Sequence, residues 1–189
     1  NLYHQPQIAS LEALAGHYLQ EMLASGLTQE QPVRLLGWSL GGNIALEIAS
    51  QLERHGYRDI HVCLLDTVYQ TEFQFSAQAG TLGSILQMIG IEEEAAQRAL
   101  MAEQTDILLG QQPVSAPLQH TRITLFKAMQ FATPGEYESD EGQKMLSMAD
   151  NGLAALGGSL QLMPMEANHF SIIHCHHEIG AALLSTAHT

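Results

Sequence analysis

The feature that most constrains the fold is the segment Gly37–Gly42, which reads Gly-Trp-Ser-Leu-Gly-Gly. The apolar run Val33–Trp38 that leads into it is short enough for a buried strand. After the serine, apolar residues return at the three- and four-residue spacing of a helix, and a second strand-like run follows at Ile60–Leu65. A strand, a helix and a strand in this order build a parallel sheet. The sequence therefore predicts an α/β fold with Ser39 on the turn from strand to helix.

A Gly-x-Ser-x-Gly pattern between a strand and a helix is typical of the nucleophile elbow of α/β-hydrolases. Such a turn holds its serine at an unfavourable positive φ. The residues two positions away, Gly37 and Gly41, are expected to lack side chains because the backbones meet there. The N-terminus of the following helix favours a developing negative charge. We therefore expect Ser39 to be a nucleophile and the N–H of Leu40 to be one donor of an oxyanion hole.

A serine hydroxyl is a weak nucleophile unless a base takes its proton and a third group orients that base. Of the ten histidines, only His169 lies in a loop directly after a late predicted strand, Leu160–Met163. The chain order serine, acid, histidine is the one that α/β-hydrolases use. We expect His169 to be the base, and the alternative is a surface or half-buried imidazole without a catalytic role. Asp66 stands at the C-terminal edge of the predicted strand Ile60–Leu65.

The pattern of predicted elements along the chain indicates one domain, which covers residues 1–189. A helix with Ser10 as its N-cap precedes the first strand. Two helices without flanking strands, residues 82–89 and 92–109, are expected to form a lid at about residues 72–121. Further strands are predicted at Ile123–Phe126 and Leu160–Met163, with an acidic loop between them and a closing helix from Ile179. Lid-lining candidates, for which helix packing is the simpler explanation, are Leu86, Met88, Ile89 and Leu100.

Composition excludes several classes of function. The chain is 46% apolar and 14% charged, which is typical of a globular domain. Seven Lys and Arg against 20 Asp and Glu give a net charge of −13, which would repel nucleic acid. We see neither a membrane-spanning run nor a secretory leader, so we expect a cytoplasmic protein without a membrane partner. Because the chain opens on Asn1 without a methionine, we expect it to be part of something longer.

The cysteines and a histidine cluster receive simple interpretations. Cys63 and Cys175 cannot form a disulfide framework and are expected to be core thiols. His174, His176 and His177 crowd one region, which could indicate a metal site. The elbow supplies a nucleophile without a metal, so exposed imidazoles are the simpler interpretation. We expect no metal and no cofactor of the chain's own.

The segment from Arg34 to Thr67 resembles the thioesterase domains at the ends of nonribosomal peptide synthetases and polyketide synthases. The likeness is carried by Gly37–Asn43, Ala45–Glu47, Leu52, His55–Gly56 and Leu64–Thr67, and more weakly by Ile123–Ala128 and His169–Ile173. Trp38 before the serine fits the chain-terminal members, whereas the free-standing editing thioesterases usually carry histidine there.

The chain also departs from that family at three places. Ala167-Asn168 stands where Gly-Asp or Gly-Asn usually precedes the histidine, and Leu153 stands where a tryptophan is common. Family members also carry several strands and a glycine-rich loop ahead of the first helix, and that loop supplies the second oxyanion donor. We expect the loop and those N-terminal strands to be absent from this chain, and the chain alone to be poorly active.

The resemblance implies an α/β-hydrolase with a mostly parallel sheet and a helical lid. It also implies that an acyl or peptidyl chain arrives as a thioester on the 4′-phosphopantetheine arm of an upstream carrier domain. Ser39 would attack the thioester while His169, oriented by Asp66, carries the proton. The resulting acyl-serine would be released by water, or by a nucleophile of the substrate to give a ring.

The resemblance also bears on which carboxylate orients the histidine. Terminal thioesterases usually take the acid from the position of Asp66, whereas editing thioesterases and most other α/β-hydrolases take it from the loop one strand later. The candidates in that later loop are Glu136, Glu138, Asp140 and Glu141. We expect Asp66. Two other interpretations remain open, an esterase or lipase acting on a diffusible ester and a non-catalytic fragment of the same fold.

Overall fold

The computed structural model describes residues 10–69, 108–131 and 140–185. The helices and strands in chain order are α1 (Leu11–Ala24), β1 (Val33–Trp38), α2 (Leu40–Arg54), β2 (Ile60–Leu65), β3 (Leu118–Ala128), α3 (Asp140–Ser147), β4 (Gly157–Met165) and α4 (His176–Ser185). Single 3₁₀ turns at Leu153–Leu156 and Ser171–His174 precede β4 and α4. Most of the predicted lid, including its four candidate lining residues, lies outside the described residues.

The four strands form one parallel sheet in the order β1-β2-β3-β4. The register pairs Trp38 with Leu65, and Leu65 with Phe126. The carboxyl ends of neighbouring strands therefore meet at one edge of the sheet, and this edge holds Ser39 and Asp66. The predicted α/β class and parallel sheet are confirmed.

Helices cover both faces of the sheet. One buried cluster joins Leu46 of α2 to Val62 and Leu64 of β2, and α1 packs on α2 in the same layer. A second cluster joins Leu65 to Ile179 of α4 on the opposite face. Side chains alternate along a strand, so β2 is buried on both faces, as expected for a parallel sheet.

Several predicted boundaries are confirmed. Ser10 caps α1, and its hydroxyl accepts the N–H of Ala13 at 3.1 Å. β1 and β2 have the predicted bounds. β4 includes the predicted strand Leu160–Met163 and extends it at both ends.

β3 is much longer than the predicted strand Ile123–Phe126. It begins at Leu118, so the predicted end of the lid at residue 121 falls inside the strand. The cause is a tertiary contact, because the Glu53 carboxylate on α2 accepts three consecutive backbone N–H groups at 2.8–2.9 Å. Those groups belong to Gln119, His120 and Thr121.

The acidic segment before β4 was expected to be a loop, and this expectation is wrong for its described part. Asp140 and Glu141 begin the helix α3. Carboxylates in the first turn of a helix favour it through their interaction with the helix dipole. Glu136 and Glu138 lie outside the described residues.

None of the helices in the described part of the chain has both the length and the apolar character that crossing a membrane requires.

Candidate active site

Ser39 occupies the strained turn that its sequence context predicts. Its backbone has φ 53° and ψ −125°, directly between β1 and α2. The backbone N–H of Ser39 donates to Leu65 O at 3.2 Å, which extends the pairing of the strands to the turn. Its side chain makes no hydrogen bond to cap α2, although Ser39 is at the N-cap position. The Ser39 hydroxyl lies at the carboxyl edge of the sheet and does not cap the helix.

The steric role expected for the two glycines that flank Ser39 is confirmed for Gly37 and wrong for Gly41. A side chain at Gly37 would collide with the backbone of Gly41 and Gly42, as predicted. A side chain at Gly41, however, would meet nothing within 4 Å. It is Gly42 that has no room, because a Cβ there would overlap the side chain of Thr67. Glycine is thus required at two close approaches, that of Gly37 to the start of α2 and that of Gly42 to the turn after β2.

Asp66 lies on that turn after β2 and is 8% exposed. Its backbone is also in the left-handed region, with φ 46°. The N–H of Asp66 donates to Phe126 O at 2.8 Å, and its Oδ1 accepts the N–H of Ala128 at 3.1 Å. Both contacts come from the end of β3, so the neighbouring strand sets the direction of the carboxylate.

The free oxygen of that carboxylate reaches His169. Nδ1 of His169 lies 2.9 Å from Asp66 Oδ2, and the two residues are 103 positions apart in the chain. The imidazole is about one-third exposed, at 30%, whereas the Asp66 side chain is 11% exposed. A carboxylate on Nδ1 places the proton there and leaves Nε2 as the basic nitrogen.

The loop that carries His169 is held from two sides. Asn168 Oδ1 accepts the N–H groups of Phe170 and Ser171 at 3.0 and 2.9 Å, which begins the 3₁₀ turn. On the other side, Nε1 of Trp38 donates to His169 O at 2.9 Å, and the two rings are 5.3 Å apart between centroids. The residue before the nucleophile thus contacts the histidine directly.

The structure brings two of the three predicted catalytic side chains into hydrogen-bond contact. Within the described part of the chain, no hydrogen bond joins Ser39 Oγ to the imidazole of His169. Such bonds are often long without substrate and shorten when it binds. Leu40 is the first residue of α2, where a backbone N–H has no partner within the helix. The roles of Ser39, Asp66, His169 and Leu40 stay predictions.

From the later acidic group, the structure describes the side chain of Asp140. Asp140 is exposed in the first turn of α3, and no described hydrogen bond or ion pair links it to His169. Of the two positions considered for the acid, the structure therefore places Asp66 against the imidazole.

Sequence reasoning missed three polar residues beside Asp66. Thr67 donates from its hydroxyl to Ser39 O at 3.2 Å. Asn151 and Lys127 are buried on the other side of the same turn. A charged residue within a run of otherwise uncharged and mostly apolar residues, Ile123–Ala128, was a signal that could have pointed to Lys127.

Both cysteines and the three clustered histidines lie within the described residues. Cys63 is buried in β2, and burial raises the pKa of its thiol to about 11, which disfavours the nucleophilic thiolate. Cys175 is half-buried. No group of three or more His, Cys, Asp or Glu in the described ranges is arranged to hold a metal ion.

Comparisons with known proteins place this geometry in a family. A family model described as the thioesterase domain matches residues 2–188. Among curated proteins, N-(5-amino-5-carboxypentanoyl)-L-cysteinyl-D-valine synthase of Amycolatopsis lactamdurans is 35% identical over 83 residues. That match covers 44% of this chain and 2% of that protein, so the chain spans a very small part of its curated relative.

Solved structures share the fold at low sequence identity. The thioesterase domain of NocB, in covalent complex with a fluorophosphonate nocardicin G analogue, aligns with a TM-score of 0.63 and 21% identity, over 89% of this chain and 70% of that chain. YbtT, a type II thioesterase from the yersiniabactin pathway, aligns with a TM-score of 0.57 and 17% identity, over 97% and 76%. These structural similarities support the α/β-hydrolase fold. The family model matches nearly the whole chain and therefore also identifies the family. The chain belongs to the thioesterase domain family.

Proposed function

We propose that this chain releases an acyl or peptidyl group from the phosphopantetheine thioester of a carrier domain, through an acyl intermediate on Ser39. The observation that carries the proposal is the 2.9 Å contact between Asp66 Oδ2 and His169 Nδ1, at the sheet edge where Ser39 also lies. Membership in the thioesterase domain family supports the substrate class, because it implies a thioester bond as the one that breaks.

The named relatives support the carrier-bound form of that substrate. The curated relative is named as the synthase of a cysteinyl-valine peptide. NocB comes from the nocardicin cluster, and YbtT comes from the yersiniabactin pathway, which is named as one of nonribosomal peptide and polyketide biosynthesis. In such systems the thioester is presented by a carrier domain. Trp38 before the nucleophile and Asp66 as the acid both favour a chain-terminal enzyme over an editing one.

The proposed mechanism assigns a step to each of these side chains. Nε2 of His169 takes the proton of Ser39 as Oγ bonds to the thioester carbonyl carbon. The N–H of Leu40 donates to the oxyanion that develops, with help from the dipole of α2. When the carbon–sulfur bond breaks, the imidazolium gives its proton to the departing thiolate, which leaves as the thiol of the phosphopantetheine arm. The acyl-serine is then attacked by water, or by a hydroxyl or amine of the bound chain, with His169 again taking the proton. The carbon–Oγ bond breaks as the imidazolium returns that proton to Ser39 Oγ, and the acid or the ring leaves.

The buried Asp66 carboxylate has two effects in this cycle. It holds His169 in the tautomer whose Nε2 is basic, and it stabilises the imidazolium that forms transiently. An esterase or lipase would use the same side chains on an oxygen ester, so the geometry alone favours a serine hydrolase. The family match is what favours sulfur as the leaving atom.

The proposal is tested by comparing matched substrates on the full-length protein. One acyl group is offered as a pantetheine thioester, as the corresponding oxygen ester, and on a loaded carrier domain. We expect kcat/KM to be highest for the carrier-bound thioester and to be lost in Ser39→Ala. A preference for the free oxygen ester would indicate an esterase. Failure of a fluorophosphonate to label Ser39, together with no turnover, would indicate a non-catalytic module.

A further inference from the structure

A carboxylate that orients a catalytic imidazole must itself be held in place. This requirement is strong at Asp66, because a non-glycine residue at φ 46° persists only where its surroundings determine its conformation. Ala128 and Phe126 hold Asp66 from the side of β3. The remaining contacts come from a turn between α3 and the 3₁₀ helix that precedes β4.

Asn151, on that turn, contacts the segment after β2 at three points. Its Nδ2 donates to Thr67 O at 3.1 Å and lies 3.5 Å from Asp66 Oδ1. Its own carbonyl oxygen accepts the N–H of Tyr69 at 2.9 Å. Asn151 is 2% exposed and has φ 51°, a conformation that asparagine tolerates better than most residues. One residue therefore holds the backbone on the C-terminal side of Asp66.

Lys127 sets the direction of the Asn151 amide. Its Nζ donates to Asn151 Oδ1 at 2.7 Å and to Met145 O at 3.2 Å, and Lys127 is 6% exposed. A cation bound to the amide oxygen leaves only the NH₂ group to face Thr67 O and Asp66. Burial lowers the pKa of Lys127, and the carboxylates of Asp66 and Asp150 offset part of that effect.

Two features of the turn that contains Asn151 allow it to lie close to the segment after Asp66. Asp150 accepts the N–H groups of Gly152 and Ala154, both at 3.0 Å. Gly152 has φ 81°, and a Cβ there would collide with Tyr69 O. The backbone at Asn151 can therefore lie against the segment after Asp66 only because the next residue is glycine.

We propose that Asn151, held by Lys127, is a positioning residue that fixes Asp66 in line with His169. The inference rests on the proposed function, in which Asp66 orients the base. Lys127 and Asn151 touch neither substrate nor reacting atoms in this scheme, and they act through Asp66 alone.

Three variants separate this role from simple packing. Asn151→Asp keeps the shape of the side chain but turns an oxygen toward Thr67 O and Asp66 Oδ1. Asn151→Gly removes the side chain and tolerates the left-handed backbone. Lys127→Met removes the cation and keeps much of the length. The matched control is Thr124→Val, which removes a different buried hydrogen bond from β3, that between Thr124 and His61 at 2.9 Å.

Two readouts are measured on the full-length protein. The first is kcat and KM on an acyl-pantetheine thioester. The second is the proton NMR resonance of the His169 Nδ1–H group, assigned by its loss in His169→Gln. We expect the three variants to lower kcat by about 10- to 100-fold with KM unchanged, and to shift or broaden that resonance. Thr124→Val should leave both readouts at the wild-type values, even if it lowers the unfolding midpoint as much as the three variants do.

The proposal is overturned if the Asn151 and Lys127 variants keep the wild-type kcat and an unshifted Nδ1–H resonance. It is also overturned if kcat falls in Thr124→Val as far as in the other variants, because loss of stability would then explain the effect. Failure of the proposed function has a different signature. The wild-type protein would then turn over no thioester, while the NMR comparison would still report whether Asn151 and Lys127 position Asp66.

Discussion

Ser39 and Asp66 both have a positive φ, which is rare for residues other than glycine. Both follow a parallel strand directly, and their φ angles are 53° and 46°. Each such residue costs about 1–3 kcal/mol and is found most often at functional sites. The strain at Ser39 could be predicted from its glycines. The strain at Asp66 could not, because the contacts that hold it come from Ala128 and Asn151, far away in the chain.

The central prediction at this scale concerns Asp66. Asp66→Asn should keep the shape of the site but allow the wrong imidazole tautomer of His169, and we expect kcat to fall by about 10⁴-fold. Asp140→Asn, on an exposed carboxylate of α3, should leave kcat within about twofold of the wild type, as is usual for surface substitutions. The measurement is steady-state kinetics on an acyl thioester. An inactive Asp140→Asn beside a nearly normal Asp66→Asn would move the enzyme toward the editing thioesterases.

At the scale of helices and strands, prediction from the sequence succeeds where a local pattern determines the element. β1 and β2 have the predicted bounds because each is a short apolar run with clear ends. β3 begins earlier than predicted because the Glu53 carboxylate holds its first residues, a contact between segments more than 60 residues apart. The start of α3 was predicted as loop because acidic residues and glycine dominate it, although carboxylates also favour a first helical turn.

The packing of α2 against the turn after β2 predicts opposite effects for two adjacent glycines. Gly41→Ala should raise the free energy of unfolding by about 0.5–1 kcal/mol, because alanine favours a helix and nothing obstructs its Cβ. Gly42→Ala should lower it by about 1–3 kcal/mol, because the new Cβ overlaps Thr67. Urea unfolding of both variants is the measurement. Equal stability of the two variants would mean that α2 and the turn are not in close contact.

The buried imidazole of His61 makes the free energy of unfolding depend on pH. It is buried between β1 and β3, and burial, with the charges of Arg122 and Arg34, lowers its pKa below the ordinary value of 6.5, while Asp59 opposes this shift. The unfolded chain then binds a proton more readily than the folded one as pH falls below 6.5. The stability that neutral His61 provides is complete above that value and is lost on acidification.

The test compares unfolding free energies at about pH 7.5 and about pH 5.5, on either side of the ordinary histidine pKa. His61→Gln should lose less stability over this interval than the wild type, because its amide cannot be protonated there. His120→Gln, at an exposed position on β3, is the control and should behave as the wild type. The same pH dependence in His61→Gln as in the wild type would contradict the account.

At the scale of the whole molecule, parallel topology brings distant residues to one edge. Ser39, Asp66 and His169 follow β1, β2 and β4, and the parallel order of the strands directs all three carboxyl ends the same way. This arrangement could be predicted from the order of residues along the chain, because each candidate directly follows a predicted strand. The hydrogen bond between Lys127 and Asn151 beside this site could not be predicted, because no local pattern links a lysine in a strand to a later turn.

The central claim is that Ser39 carries the acyl group during the reaction, and rapid-quench mass spectrometry tests it most directly. The full-length protein is mixed with an acyl-loaded carrier domain, quenched within one turnover and digested with trypsin. Cleavage after Arg34 and Arg54 isolates the segment 35–54, which contains both Ser39 and Ser50. The account predicts the acyl mass on this peptide, with fragment ions that place it on Ser39, and no acyl peptide from Ser39→Ala. Acylation of another residue, or turnover in Ser39→Ala at the wild-type rate, would contradict it.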